Sequence, residues 1–380
     1  MKTYLLYGDP AGVPEVRHEV AEAVSDPVVF IDKDGKRIVA ANVFDAEIFR
    51  RREDVVDELW DYHSLGFEEL RADASVPDHL IGPELVRRAL ERAGASSAVV
   101  PASFPLLVAD YLRERGIEVR TDEEEWAARR RRKTPWELEG IERAQRAVDA
   151  ALVAAVHMLR EAEPTVDGRL RFEGEILTCE WLRETMSAVL LSQGAESEEI
   201  IVQSGEACLN GHDPGLGPVW AGRSLVIDCF PRDRRTGVFT DTTRTFVPGE
   251  PDEELTRLHG HCLAALDIAR EALRPGRSDA YSRVVEYFHS QGFPTVPHQR
   301  AEGPLRNGFI HALGHGVGLK VHEKPSLGIR SDALVEGDVL AIEPGLYRDG
   351  MGGVRLEDTY VITAAGPEPF TDPFPYDLTP

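Results

Sequence analysis

The sequence predicts an α+β protein, a smaller N-terminal α/β domain followed by a larger domain in which one helix–helix–hairpin unit occurs twice. Three observations carry this. Strand and helix patterns alternate through residues 1–130, and a charged stretch poor in aliphatic residues, Asp122–Lys133, closes them off. Two long helices then open at Pro135-Trp-Glu-Leu and Pro251-Asp-Glu-Glu-Leu, 116 residues apart. Acidic residues set in apolar strands repeat at nearly that offset, Asp228 to Glu343 (115) and Asp241 to Glu357 (116).

In the first domain, Val28–Ile31 and Arg37–Ala40 flank the turn signal Asp34-Gly35 and read as a β-hairpin. Pro83–Ala93 reads as a helix, Ala98–Val100 as a strand, Pro105–Arg115 as a helix and Ile117–Val119 as a strand. No catalytic cluster falls here, which leaves this domain to shape a pocket or an oligomer contact. The basic block Arg129–Lys133 reads as a solvated stretch between domains. Beyond it Thr134 is placed as an N-cap, with Pro135 in the first turn and Glu137 completing a capping box. Leu138, Ile141, Ala144, Val148, Leu152 and Val156 keep helical spacing through Arg160. A second helix is expected over Gly174–Ser192, then strands at Glu199–Gln203, Ser224–Phe230 and Gly237–Val247. The second unit repeats the order, with helices at Asp252–Leu273 and Ser278–Gln291 and strands at Val339–Glu343 and Val354–Thr363.

Composition narrows the function classes. An apolar share of 42% supports real cores. The N-terminus carries no long apolar stretch before Asp9, so no signal peptide is expected, and no apolar run approaches a membrane span. The four cysteines are far apart with no CxxC pair; free thiols and a cytoplasmic setting are expected. Cys208 and His212 would make half a zinc site, but no second pair completes it. A net charge of −23 argues against nucleic acid as a partner. Only 6 of the 43 basic residues are Lys. Many carboxylates with few lysines suggest adaptation to concentrated salt, where a Debye length of about 3 Å hides self-repulsion.

Within this acidic chain four carboxylates stand out, because each interrupts an apolar strand. Asp228 sits in Leu225-Val-Ile-Asp-Cys-Phe230, and Asp241 in Gly237-Val-Phe-Thr-Asp-Thr-Thr-Arg-Thr-Phe246. With the turn centred between Arg234 and Arg235 the two fall directly opposite, where like charges are destabilising. Glu343 and Glu357 each lie seven positions from Gly350, and strand alternation puts Arg355 on the face of Glu357. Either pair alone is compatible with solvated strand ends. Two mirrored pairs at one offset are not easily so explained. Four clustered carboxylates make six repelling pairs, each about 3 kcal/mol at ~5 Å and an effective dielectric near 20. That total exceeds a domain's usual stability of about 5–15 kcal/mol. Protonation, arginines or divalent metal must offset it, and a metal pair is the economical answer.

Histidines point the same way. Phe309–Glu323 carries His311, His315 and His322, with Gly314, Gly316 and Gly318 around His315 allowing close backbone approach or positive φ. Hard oxygens with one imidazole and no thiolate suit Mn²⁺, Co²⁺, Fe²⁺ or Zn²⁺ in a reactive rather than a structural site. A bridging water acidified there implies hydrolysis of an unactivated bond such as an amide.

The run Asp228…Asp241-Thr-Thr-Arg-Thr-Phe, His311-x3-His315-Gly-x-Gly-x3-His322-Glu323, Ile342-Glu343-Pro344-Gly345 and Arg355-Leu-Glu357-Asp resembles the pita-bread metallopeptidases. These include Xaa-Pro dipeptidase (prolidase), Xaa-Pro aminopeptidase and methionine aminopeptidase. The resemblance covers about residues 134–365. It implies a pita-bread catalytic domain over 134–380, of creatinase/aminopeptidase type with a pseudo-twofold ααββ repeat, and a creatinase-like N-terminal domain over 1–130. It also implies two divalent ions, Mn²⁺ or Co²⁺ ahead of Zn²⁺ or Fe²⁺. Asp228 would chelate one ion, Asp241 and Glu357 bridge both, and His315 and Glu343 hold the second. Glu343 would also take a proton from the attacking water. His212 would contact the substrate or shuttle protons, His322 would steady the scissile carbonyl and its oxyanion, and His311 and Arg355 would line the substrate site.

One departure is the turn between the aspartates, Phe230–Gly237, two residues longer than in the usual members. An even insertion preserves facing, so the doubt falls on the pocket rim or a dimer contact. The N-terminal domain favours proline-specific members over methionine aminopeptidases, and retention of all five metal positions disfavours a creatinase-like amidinohydrolase or a non-catalytic peptide-binding domain. The implied partners are small peptides with proline second and a second copy of the chain in a homodimer, with no membrane.

Overall fold

The computed structural model describes residues 2–52, 54–298 and 305–380. The chain divides into two compact units, Met1–Arg130 and Arg131–Pro380.

In the first unit, β1 (Thr3–Gly8), β2 (Val28–Lys33), β3 (Lys36–Ala41), β4 (Glu58–Asp61), β5 (Ser97–Val100) and β6 (Glu118–Thr121) form one sheet in the order β4-β3-β2-β1-β5-β6. The β1–β2 and β2–β3 pairs are antiparallel, and the flanking pairs are parallel. The expected hairpin closes at Asp34 and Gly35, both with positive φ (55° and 81°), the conformation that suits the strand twist. A helix expected from Pro83 instead starts five residues earlier, spanning Asp78–Arg92 with the proline inside. An interior proline costs a helix about 3 kcal/mol, and burial of Leu85, Val86, Ala89 and Leu90 offsets it.

The basic block is a correction. Glu123–Arg131 is a helix with Trp126 buried, not a solvated connection. Arg129 pairs with Glu19 and Asp32, and Arg130 with Glu15, all within the first unit. Arg131 pairs with Asp338 and Lys133 with Glu323, both within the second. Local sequence displays only the like charges; the partners lie 97 to 207 residues away.

The second unit opens with the helix Pro135–Glu161, whose capping box forms in both directions between Thr134 and Glu137. The next helix is Cys179–Ser192 rather than Gly174–Ser192. Glu173 and Gly174 take positive φ and close a small hairpin, Leu170–Phe172 with Glu175–Ile176, and Thr178 caps the helix by accepting from the Trp181 amide. Strands Ile200–Ser204, Leu225–Cys229 and Thr242–Phe246 follow as an antiparallel sheet in chain order.

The same sequence of elements recurs in the second half. Helices Glu253–Ala272 and Ala280–Ser290 precede the antiparallel strands Gly314–Gly316, Val339–Ile342 and Asp358–Thr363. Each half buries its own apolar core, one around Val148, Leu182 and Ile227, the other around Leu266, Phe288 and Leu340. The expected strand Val354–Thr363 is broken at Leu356-Glu357, and Gly237–Val247 contracts to Thr242–Phe246. Among the described residues, no helix is long and apolar enough to cross a membrane.

Candidate metal centre

The strand registers decide where the carboxylates fall. Asp228 pairs with Thr243, not with Asp241, so the expected opposition is off by two residues. The connecting chain is not a plain hairpin tip. Arg232–Asp233 pairs with Ala195–Glu196, and Asp233 is buried, accepting from Arg143 and from Thr236. A shift of two keeps both side chains on one face, and Asp241 stands just before its strand.

Glu343 and Glu357 follow the expected register. Ile342 pairs with Asp358 in one ladder and Gly345 with Arg355 in the next, which places the two glutamates opposite each other in the interval between ladders. Their amides are satisfied elsewhere: Glu343 N–H donates to Leu313 O (2.8 Å) and Glu357 N–H to Thr243 O (3.0 Å). The halves are tied by reciprocal threonines. Thr243 Oγ1 donates to Glu357 Oε2 (2.6 Å), while Thr359 Oγ1 donates to Asp241 O (2.8 Å) and accepts from Asp241 N–H (3.1 Å).

Asp241, His315 and Glu357 each offer a ligand atom within 4.8 Å of the others. His315 Nε2 lies 3.7 Å from Asp241 Oδ2, 3.9 Å from Glu343 Oε1 and 4.0 Å from Glu357 Oε1. Asp228 joins through Arg355, whose Nη2 donates to Asp228 Oδ2 while Nε donates to Thr243 Oγ1. His311 Nδ1 is 3.8 Å from Glu343 Oε2. The His322 ring stands edge-on to His315, centroids 4.2 Å apart, and is itself exposed. His212 is exposed in the turn after Leu209, near enough to His322 that their positive charges would repel. Cys208 turns away, its thiol donating to Gln203 O.

Close packing explains the glycines. A Cβ on Gly314 would meet Ala341 O at 2.1 Å and one on Gly316 would meet Lys324 O at 2.1 Å, so close approach rather than positive φ is what these positions need. On Gly345 it would meet His311 Nε2 and the Tyr347 hydroxyl, both at 2.9 Å. Tyr347 is the residue that sequence reasoning missed: its hydroxyl lies 3.0 Å from His311 Nε2 and 3.4 Å from Arg355 Nη1. Strand alternation from Glu343 through Gly345 to Tyr347 could have found it, as Asp241-x-Thr243 and Glu357-x-Thr359 could have found the threonines.

The electrostatics are those of an acid cluster short of positive charge. Burial, then the charges of Glu357, Asp228 and Glu343, push the Asp241 carboxyl well above its usual range. Burial, then Glu343 and Asp228, do the same to Glu357. Glu343 rises to about 7, chiefly from burial, with Asp228 adding and Arg355 opposing. Burial lowers His315 to about 4, aided by His322, and lowers His311 to about 4, aided by Arg355. A neutral imidazole among carboxylates can offer a lone pair but no compensating charge. Asp228 Oδ1 and Asp241 Oδ1 are buried without a hydrogen-bond partner among the described residues, and such atoms ordinarily cost about 1–3 kcal/mol or more when charged. Carboxylate oxygens, one imidazole and unspent acceptor capacity fit a divalent cation.

The profile of metallopeptidase family M24 matches residues 139–364, more than half of the chain. The chain belongs to metallopeptidase family M24. Among M24 relatives, an Xaa-Pro dipeptidase of Lactobacillus delbrueckii is 32% identical over 181 residues, 46% of this chain and 45% of that protein. An Xaa-Pro dipeptidase of Pyrococcus furiosus is 30% identical over 247 residues, 63% of this chain and 62% of that one. The chain thus spans about half the length of the curated relatives it matches. The structure of an Xaa-Pro dipeptidase from Bacillus anthracis superposes with a TM-score of 0.76 at 22% identity, covering 100% of this chain and 94% of that one. An X-Pro aminopeptidase from Thermotoga maritima gives 0.77 at 19% identity, covering 100% and 97%. The chain therefore has the pita-bread fold, as the resemblance of its motifs implied.

Proposed function

We propose that the chain hydrolyses the peptide bond preceding proline, as an Xaa-Pro dipeptidase or Xaa-Pro aminopeptidase, with two divalent metal ions, Mn²⁺ or Co²⁺ ahead of Zn²⁺ or Fe²⁺. The observation that carries this is the convergence of Asp241, His315, Glu343 and Glu357, with Asp228 joined through Arg355. Proline specificity is supported by the names of the two curated relatives.

In this reading Asp228, Asp241, His315, Glu343 and Glu357 would hold the ions. When bound, such ions supply Lewis acidity, which makes water nucleophilic near neutral pH and polarises a carbonyl. The remaining work belongs to side chains. Glu343, partly open to the site, takes the proton of the attacking water at a carboxylate oxygen. His322, whose pKa is lowered by partial desolvation and by the nearby His212, has an N–H to offer the carbonyl oxygen as negative charge develops there. His212 contacts the substrate or relays a proton at the open side. His311 is fixed by Tyr347 and by the Ala312 carbonyl, and with Arg355 it lines the position of the substrate. Residues 1–130 are read as a creatinase-like domain, 134–380 as the catalytic domain, and the protein as a cytoplasmic homodimer.

Purified protein assayed with Mn²⁺ or Co²⁺ against Xaa-Pro dipeptides and Xaa-Pro-Yaa peptides tests the reading. Metal-stimulated turnover limited to dipeptides identifies a dipeptidase, and turnover of the longer peptides an aminopeptidase. No turnover and no bound metal would leave a peptide-binding domain instead.

A further inference from the structure

We infer that residues Phe374–Leu378 form a strap that positions the carboxylates of the metal centre, with Tyr376 as a positioning residue acting through Asp358 and Arg244. This rests on the metal-binding role proposed above for Asp241 and Glu357.

The link is Arg244, one of the largest fully buried side chains of the protein. A guanidinium has five N–H donors, and here each is used. Nη1 donates to Thr243 O (2.9 Å) and Glu357 O (2.7 Å). Nη2 donates to Asp358 Oδ1 (2.7 Å) and Phe374 O (2.8 Å), and Nε also donates to Phe374 O (3.0 Å). Thr243 and Glu357 belong to different repeats. Thr243 O accepts from the Glu357 amide as well, so Arg244 fastens the crossing at which Asp241 and Glu357 approach each other.

The strap supplies the outer half of this arrangement. The Tyr376 ring lies 4.4 Å from the Arg244 guanidinium carbon, and its hydroxyl donates to Asp358 Oδ2. Leu378 O accepts from Val247 N–H (2.6 Å), which anchors the segment beside the end of the strand Thr242–Phe246. Phe374 packs on the core of the first repeat, and Tyr376 and Leu378 on that of the second. One short segment therefore spans both repeats and completes the hydrogen bonding of the cation between them.

Without the strap, two donors of a buried cation lose their acceptor, which is strongly unfavourable. The guanidinium must then turn or admit water, and the carbonyls of Thr243 and Glu357 lose their fixed partner. Metal sites are sensitive to such changes: altering the partners that orient ligands typically weakens binding 10–100-fold.

Mn²⁺ binding by calorimetry on full-length Tyr376→Phe and Tyr376→Ala proteins, and on a chain stopped after Asp372, tests this. Each is compared with the parent below its thermal transition. The expected result is weakening of several-fold for Tyr376→Phe and about 10–100-fold for Tyr376→Ala. The stopped chain should weaken at least as much and recover on addition of a synthetic peptide of residues 373–380. Where it does not fold, the two Tyr376 variants decide. Lowered melting temperatures with the parent's Mn²⁺ affinity would make the strap merely structural and overturn the inference. Absence of Mn²⁺ binding by the parent would overturn the metal reading itself.

Discussion

Stripping the centre of divalent ions and titrating the protein with alkali exposes the cost of its carboxylates. The Glu343 carboxyl rises from 4.5 to about 7 in the folded chain, mainly through burial. At about 1.4 kcal/mol for each tenfold change in proton affinity, that is worth about 3 kcal/mol. The sign follows from proton counts. Between the unfolded and folded pKa values the native state keeps a proton that the unfolded state has lost, so metal-free stability falls as pH rises through this window. About 2 kcal/mol of the fall lies between pH 5 and 7.5. Urea unfolding in chelator across that range compares the parent with Glu343→Gln, which removes this carboxyl together with its repulsion of Asp241 and Glu357. The parent should lose about 2 kcal/mol relative to the variant as pH rises. Mn²⁺ at about 100 times its Kd should restore about 2.7 kcal/mol to the parent at pH 7.5 and much less to the variant. Parallel pH profiles for the two chelated proteins would refute the reasoning, since Glu343 would then be ionising without penalty.

Other perturbations read the remaining roles. Asp241→Asn removes a shared charge and should reduce turnover by at least about 10³-fold together with bound metal; near-parental turnover would refute its place as a ligand. His322→Ala should lower kcat by about 10²-fold with metal content unchanged by elemental analysis, and loss of metal would reassign it to direct coordination. Lys133→Met removes the cation that Glu323 pairs with and should lower the urea midpoint, and an unchanged midpoint would show the pair to be energetically neutral. The net charge of −23 predicts that the melting temperature rises with KCl into the molar range, and a flat salt dependence would show that the arginine-rich, lysine-poor surface is not an adaptation to salt.

Much of the centre was legible because it is written in strand alternation. Glu343 and Glu357 could be placed opposite each other because Gly350 sits midway and the turn is short. The same method misplaced Asp241 by two residues, because Arg232 and Asp233 leave the hairpin to pair with Ala195 and Glu196. Nothing within ten residues of Asp233 announces the Arg143 guanidinium that receives it. The basic block failed for the same reason. Five adjacent cations look solvated until the fold brings Glu19 and Asp32 to Arg129, Glu15 to Arg130, Asp338 to Arg131 and Glu323 to Lys133, which leaves Arg132 as the exposed one. The second helix was drawn too long because Glu173 and Gly174 take positive φ to close a small hairpin. Local patterns therefore gave faces and periods, while charge partners and detours required the tertiary structure.

Diffraction from crystals grown with Mn²⁺, recorded at the manganese absorption edge, asks most directly whether these acids exist to hold cations. Two anomalous peaks per chain, flanked by Asp241 and Glu357 with Asp228 on one side and His315 and Glu343 on the other, are the predicted result. A map without peaks there, with the carboxyl groups protonated and hydrogen-bonded to one another, would contradict it.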